Sequence, residues 1–284
     1  MKSCLVLEGG ALRGLYTAGV LDTLMDNDIY IPNAIGVSAG TLFGLNYYSN
    51  QKGRALRYNK KYAKDKRYMS VRSLIFTGNF VNKNFAYYKM SNVLDPFDNE
   101  TYMKKDKTFY ATVTNIENGK PEYLKITNPL EQMEELRATS AIPLASKIIK
   151  VEDKKYLDGG LSDSIPVKKA EKLGYDKIVV VLTQPIDYIK KPYSSKIVKL
   201  MKVKYRKYPN LIKDVVDRHT RYNETIEYIK ELEKQKKIFV IRPSKLLEVK
   251  LNNSDPDKYQ EIYDIGVKDC KKVIKKLKNY LEED

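Results

Sequence analysis

Gly36-Val37-Ser38-Ala39-Gly40 sets a serine hydroxyl among small residues. This GxSxG spacing is that of a nucleophile elbow, a sharp strand-to-helix turn that exposes a serine Oγ for attack on an acyl carbon. By average residue usage it arises by chance on the order of once in ten chains this long, so its context must decide. The competing reading is an ordinary small-residue turn. A second glycine-rich turn, Glu8-Gly9-Gly10-Ala11-Leu12-Arg13-Gly14, lies upstream. Ala11 stands where a dinucleotide fingerprint needs its second spaced glycine. A Gly-Lys-Ser/Thr ending is also missing, so this is not a P-loop. Acyl transfer develops negative charge on an oxygen, and backbone N–H groups freed by glycines stabilise such charge. An oxyanion hole is therefore the better use of this loop.

Ser38 needs a base. The chain has one histidine, His219, so a triad of Ser38, Asp158 and His219 is formally open. His219 lies in a charged helical segment, Asp217-Arg218-His219-Thr220-Arg221, far down the chain. A lone histidine there reads more simply as a surface residue. Without it, a carboxylate must take the proton. Asp158 is the best placed, after a strand and before Gly159-Gly160. A carboxylate with a pKa of about 3.9 is a weak base, so the Ser–Asp contact would have to be close and partly desolvated.

The elements that must position these groups follow from periodicity. Residues 3–8 read as a buried strand, and Leu15 to Met25 recur at helical spacing. Ile31 to Val37 is a second strand, and Ala39 to Tyr48 a helix. Strand–helix–strand–helix is the mark of a parallel sheet, and a right-handed crossover makes its two strands parallel neighbours. The glycine loop and Ser38 then share one sheet edge, where ligands bind in such folds. Residues 50–70 read as basic and helical. Phe109 to Thr114 is a strand leading through Asn118-Gly119 into a hairpin. Helices are expected over Glu131 to Ser140 and over Lys168 to Leu173, the latter closed by Gly174. Lys177 to Leu182 is a buried strand. Past Pro185 the chain becomes Lys- and Tyr-rich and helical, with one more strand at Ile238 to Ile241. This divides the chain into a catalytic domain, 1–187, and a basic, mostly helical extension, 188–284, packed on it.

The ordered set Gly9-Gly10-Ala11-Leu12-Arg13-Gly14, Gly36-Val37-Ser38-Ala39-Gly40 and Asp158-Gly159-Gly160 resembles the three signatures of patatin-like phospholipases. The match spans roughly residues 3–182. Leu15 to Asp22 and Ile238 to Pro243 further resemble a bacterial subgroup with its own C-terminal extension. The resemblance implies an α/β fold, a three-layer α/β/α sandwich on a mostly parallel sheet. It also implies hydrolysis of lipid acyl esters by a Ser–Asp dyad. Carried over by position, Ser38 is the nucleophile, Asp158 the base, and the backbone of Gly9, Gly10 and Ala11 the oxyanion hole. Gly14, Gly36, Gly40, Gly159 and Gly160 support the motifs. Arg13 either anchors the loop, the favoured reading, or meets a phosphate head group. Where Ala11 stands the family often has a third glycine, which implies tighter substrate access.

Composition limits the alternatives. The chain has 284 residues and a net charge of +16. The charge is local: residues 52–89 hold eleven Lys and Arg against one acid, and residues 187–213 hold nine against one. The remainder is slightly acidic. Such stretches suit an anionic membrane surface or a solvated face. Nucleic-acid binding has only charge in its favour, with no recognised motif. No apolar run is long enough to span a bilayer, and no signal peptide is read at the N-terminus. Two distant cysteines, Cys4 and Cys270, suggest reduced thiols in the cytoplasm. The protein is therefore expected to be cytoplasmic, peripheral at the membrane where the basic stretches meet lipid. No metal-ligand spacing is present, so no cofactor is expected. Phe76, Phe80, Tyr87 and Tyr88 could line an acyl groove or belong to the core. A non-catalytic lipid-binding protein on the same scaffold is the alternative function.

Overall fold

The computed structural model describes residues 2–283. Strands β1 (Ser3–Leu7), β2 (Asn33–Val37), β3 (Thr108–Asn115), β4 (Pro121–Lys125), β5 (Ile149–Val151), β6 (Lys154–Asp158), β7 (Lys177–Val181) and β8 (Ile238–Ile241) form one sheet. The helices are α1 (Gly14–Asp26), α2 (Ala39–Tyr48), α3 (Arg54–Tyr62), α4 (Val71–Thr77), α5 (Asn99–Lys104), α6 (Met133–Thr139), α7 (Val167–Lys172), α8 (Ser195–Lys204), α9 (Pro209–Lys234) and α10 (Pro256–Glu282). A π-helical stretch, Lys83–Leu94, lies between α4 and α5. Strands β3, β2, β1, β7 and β8 run parallel in that order, β4 and β6 pair antiparallel with β3, and β5 pairs antiparallel with β6.

Alternation within the parallel strands separates two cores. Leu5, Leu7, Val179 and Val181 face the layer that holds α1, α2 and α10. Cys4, Val6, Ile178 and Val180 face the layer that holds α7 and α9. A strand covered on both faces must be apolar throughout, which is why Ser3–Leu7 and Lys177–Val181 show no polar stripe. The result is the three-layer α/β/α sandwich on a mostly parallel sheet. Residues past 188 enter it directly, because β8 pairs with β7 and α10 lies on α1. That helix crossing is close. A Cβ on Gly19 would stand 2.2 Å from the Tyr263 carbonyl, and one on Gly266 would stand 2.2 Å from that of Tyr16.

The basic 50–70 stretch is helical only over Arg54–Tyr62. A turn then follows in which the Asp65 carboxylate accepts from the Arg67 backbone and guanidinium and ends the helix. Among the described residues, no helix is long and apolar enough to cross a membrane.

Candidate active site

Ser38 is the junction between β2 and α2, with φ 53° and ψ −123°. A non-glycine residue there stores about 1–3 kcal/mol of strain, which its surroundings must enforce. The Ser38 N–H donates to Thr139 Oγ1 at 3.0 Å, and that hydroxyl donates to the Thr112 carbonyl at 2.6 Å. Thr139, the last residue of α6, therefore clamps the elbow to β3. A Cβ on Gly40 would stand 2.5 Å from the Leu7 carbonyl, so only glycine lets α2 start against the end of β1. Gly36 lies in β2 against Thr41, and Gly14 opens α1 against Ala39.

The parallel register pairs Leu7 with Gly36, so the loop after β1 runs beside the elbow. Gly9 lies 3.2 Å, measured from the position of a Cβ, from the Ser38 Cβ. No backbone carbonyl among the described residues takes the N–H of Gly9, Gly10 or Ala11, which leaves all three free for a ligand oxygen. Ala11 adopts φ 48°. The left-handed region costs an alanine about 1–2 kcal/mol, the physical reason glycine suits this position.

Asp158 arrives from the opposite direction. Val113 and Thr114 pair with β4 on one edge of β3 and with β6 on the other. That second edge is the one β2 occupies up to Thr112, opposite Val37. Strands β2 and β6 thus meet end to end along β3, one ending at Ser38 and the other at Asp158. Gly159 permits the turn away, since its Cβ would stand 2.2 Å from the Thr112 carbonyl. Asp158 Oδ1 accepts the Gly160 N–H at 2.7 Å. Burial pushes the Asp158 carboxyl above the ordinary carboxylate range. Hydrogen bonds from Ser38 and the Gly160 N–H, and the charge of Arg218, pull partly the other way.

Ser38 borders two cavities. One holds about 1000 Å³ of space including its open mouth, lined largely by apolar groups such as Leu42, Phe43, Tyr87, Met90, Met133 and Leu136. The other is polar and contains Asp158 with Glu8, Arg13, Lys190, Tyr193 and Arg218. Of the four aromatics considered for an acyl groove, Tyr87 alone lines the apolar cavity, with its hydroxyl 2.8 Å from Ser140 Oγ. Phe76 is exposed, Phe80 is buried elsewhere, and Tyr88 donates to Glu134. His219 lines neither cavity. Its Nδ1 lies 3.0 Å from the Val216 carbonyl on its own helix, so the triad with Ser38 and Asp158 does not form.

Sequence reasoning missed Thr139, Glu8, Lys190, Tyr193 and Arg218. Arg218 is the neighbour of the histidine weighed above. Lys190 lies in a basic stretch read as a surface, but it turns inward. No local pattern marks either residue.

These features describe an α/β protein with a serine at a strained strand-to-helix turn. The model of the patatin-like phospholipase family matches residues 5–170, more than half of the chain, and the chain belongs to that family of lipid hydrolases. A second model, a domain of unknown function (DUF6363), matches residues 208–282. The uncharacterised protein YjjU of Escherichia coli is 28% identical over 274 residues, covering 93% of this chain and 75% of that protein. The crystal structure of VipD from Legionella pneumophila aligns with a TM-score of 0.46 and 12% identity, over 97% of this chain and 67% of that one.

Proposed function

We propose that the protein is a serine acyl hydrolase of lipid esters. Ser38 is the nucleophile, Asp158 its only proton acceptor, and the Gly9, Gly10 and Ala11 N–H groups the oxyanion hole. One observation carries this reading: a strained serine that borders both an apolar cavity and a polar one meets a buried carboxylate end to end. Asp158 takes the Ser38 proton as Oγ attacks the ester carbonyl. The free N–H groups of the glycine loop receive the developing oxyanion. Asp158 then returns the proton to the leaving alcohol, and water releases the acyl group by the same route. A raised carboxyl pKa suits this work, because it makes Asp158 a stronger base than a free aspartate. Residues 1–187 form the catalytic unit, and 188–284 an extension that completes the polar cavity.

Membrane docking accords with the surface. Ile75 and Phe76 on α4, and Leu200 and Val203 on α8, are exposed among basic residues. Both helices neighbour the loop at the cavity mouth, through the Phe80 N–H to the Ala145 carbonyl and the Tyr205 hydroxyl at the Leu144 N–H. We read these as contacts to an anionic bilayer surface from a cytoplasmic protein.

The test is fluorophosphonate labelling and ester turnover in the wild type and in Ser38→Ala, Asp158→Ala and His219→Ala. The first two variants should lose turnover and the third keep it. Turnover retained by Asp158→Ala would refute the dyad. Vesicle binding with no turnover on any acyl ester would favour the non-catalytic alternative.

A further inference from the structure

Asp158 is placed by the turn that follows it, and that turn is held by α9. Gly160 is the pivot. Its N–H donates to Asp158 Oδ1 at 2.7 Å, and its carbonyl accepts from Ser164 Oγ at 2.8 Å and from Arg218 Nε. A Cβ on Gly160 would stand 3.1 Å from Asp158 Oδ1 and 3.4 Å from Arg218 Nη2, so the carboxylate and the guanidinium flank one residue. The next carbonyl along the turn, that of Leu161, accepts from Arg221 Nη2 at 2.8 Å. Residues three apart share a helix face. Arg218 and Arg221 therefore grip consecutive carbonyls of the turn after Asp158.

The two arginines differ in what else they meet. Arg221 is paired: its Nη2 lies 3.3 Å from Asp214 Oδ1 and donates to the Asp214 carbonyl at 2.8 Å. Arg218 gives its other hydrogen bond, from Nη1, to the Tyr193 hydroxyl at 3.0 Å, and its guanidinium carbon sits 5.8 Å from the Tyr193 ring centroid. Both acceptors are neutral oxygens, so the Arg218 charge is not spent on an ion pair. Arg218 borders the polar cavity together with Asp158, and Arg221 does not. The other titratable groups around the carboxylate are Glu8 and Arg13 on the loop after β1, Lys190 after β7, and Tyr87 on the π-helical stretch. Burial raises the Asp158 carboxyl, and among these charges that of Arg218 pulls it down.

We propose that Arg218 is a positioning residue for the reaction at Ser38: from the C-terminal extension it fixes the Gly160 carbonyl, and through Gly160 the N–H that aims Asp158. The inference rests on the acyl-hydrolase reading for the reaction. The aim and the charge state of Asp158 can be measured without it. Two effects are separable. A base moved by about 1 Å can lose on the order of a hundredfold in rate, so the Nε contact to Gly160 acts on the chemical step. A cation beside a carboxylate also favours its ionised form. Without the Arg218 charge, Asp158 keeps its proton to higher pH and accepts none from Ser38 there.

The experiment compares the wild type with Arg218→Gln, Arg218→Lys and Arg221→Gln. The Asp158 carboxyl is titrated by carbon-13 NMR, its signal assigned by its loss in Asp158→Asn. In parallel, kcat and KM are measured against pH on a short-chain p-nitrophenyl ester. Arg218→Gln should move the Asp158 titration and the acid limb of kcat/KM to higher pH together. It should also lower kcat about tenfold or more while KM stays within about twofold. Arg218→Lys keeps the charge and gives up the fork, so both midpoints should return toward the wild type, with kcat between the two. Arg221→Gln loosens the same turn without taking charge from beside Asp158. It should lower the melting temperature and leave both midpoints in place. A titration shifted by Arg218→Gln and restored by lysine, in a protein that turns over no acyl ester, upholds the hold on Asp158 while the hydrolase reading fails. An unshifted titration in Arg218→Gln overturns the proposal, as does a kcat unchanged above the acid limb of an active enzyme. A titration that Arg221→Gln moves as far also overturns it, because Arg218 then only docks α9.

Discussion

Thr139→Val isolates the clamp on the elbow. Valine keeps the shape of threonine but removes the hydroxyl that accepts from the Ser38 N–H at 3.0 Å and donates to the Thr112 carbonyl at 2.6 Å. Thr139 is fully buried and Ser38 is 6% exposed, so water cannot replace the lost bonds. A buried polar group left unpaired costs about 1–3 kcal/mol. Taking about 2 kcal/mol, the melting temperature should fall by roughly 4–8 °C. The same hydroxyl holds Ser38 at φ 53°, so the elbow should relax toward an ordinary turn. If the whole of that free energy is felt in attack, fluorophosphonate labelling of Ser38 slows about thirtyfold, at roughly 1.4 kcal/mol per decade. Thr139→Ser, which keeps the hydroxyl, should label near the wild-type rate. Thr139→Val labelling at the wild-type rate with an unchanged melting temperature refutes the clamp. So does a serine variant as impaired as the valine one.

The carboxylate and the glycine packing give two more expectations. Burial raises the Asp158 pKa, so its contribution to stability is present at low pH and is lost as pH rises through the raised folded value. Asparagine mimics the protonated acid. Asp158→Asn should therefore abolish turnover yet raise the melting temperature at pH 7, by an amount that shrinks as pH falls through the raised folded value and is gone below about 4; a lower melting temperature at pH 7 contradicts this account. Wild-type turnover should have an acid limb above the ordinary aspartate pKa of about 3.9, read from kcat/KM against pH. Gly40→Ala drives a Cβ to 2.5 Å from the Leu7 carbonyl, where neither backbone can yield cheaply. It should cost about 1–3 kcal/mol, the scale of core overpacking, and lose Ser38 labelling as α2 lifts from β1. Normal labelling in a folded Gly40→Ala protein would show that this contact does not shape the elbow.

Much of this molecule is legible along the chain. The β-branched and apolar runs at 3–8, 31–37, 109–114 and 177–182 mark strands buried on both faces, because such strands need no polar stripe. The elbow and the glycine loop are local motifs, since a strained turn and free N–H groups depend on residues adjacent in sequence. The parallel pairing of β1 and β2 follows from crossover handedness, and it puts the loop beside Ser38. Asp158 is legible as a residue but not as a place. Its position depends on β6 running antiparallel into the end of β2 along β3, a pairing that no spacing records. The cations Lys190 and Arg218 are further still from local pattern. Lys190 sits in a basic stretch that reads as a solvated face and Arg218 in a charged helical segment, and only the packing of α9 and the segment after β7 turns these two inward. The amino-acid sequence by itself determined the Ser38 turn, the glycine loop and the sheet that carries them. Tertiary structure decided what faces Ser38 across the cavity, because charge and reach between distant segments are set by packing, not by sequence neighbours.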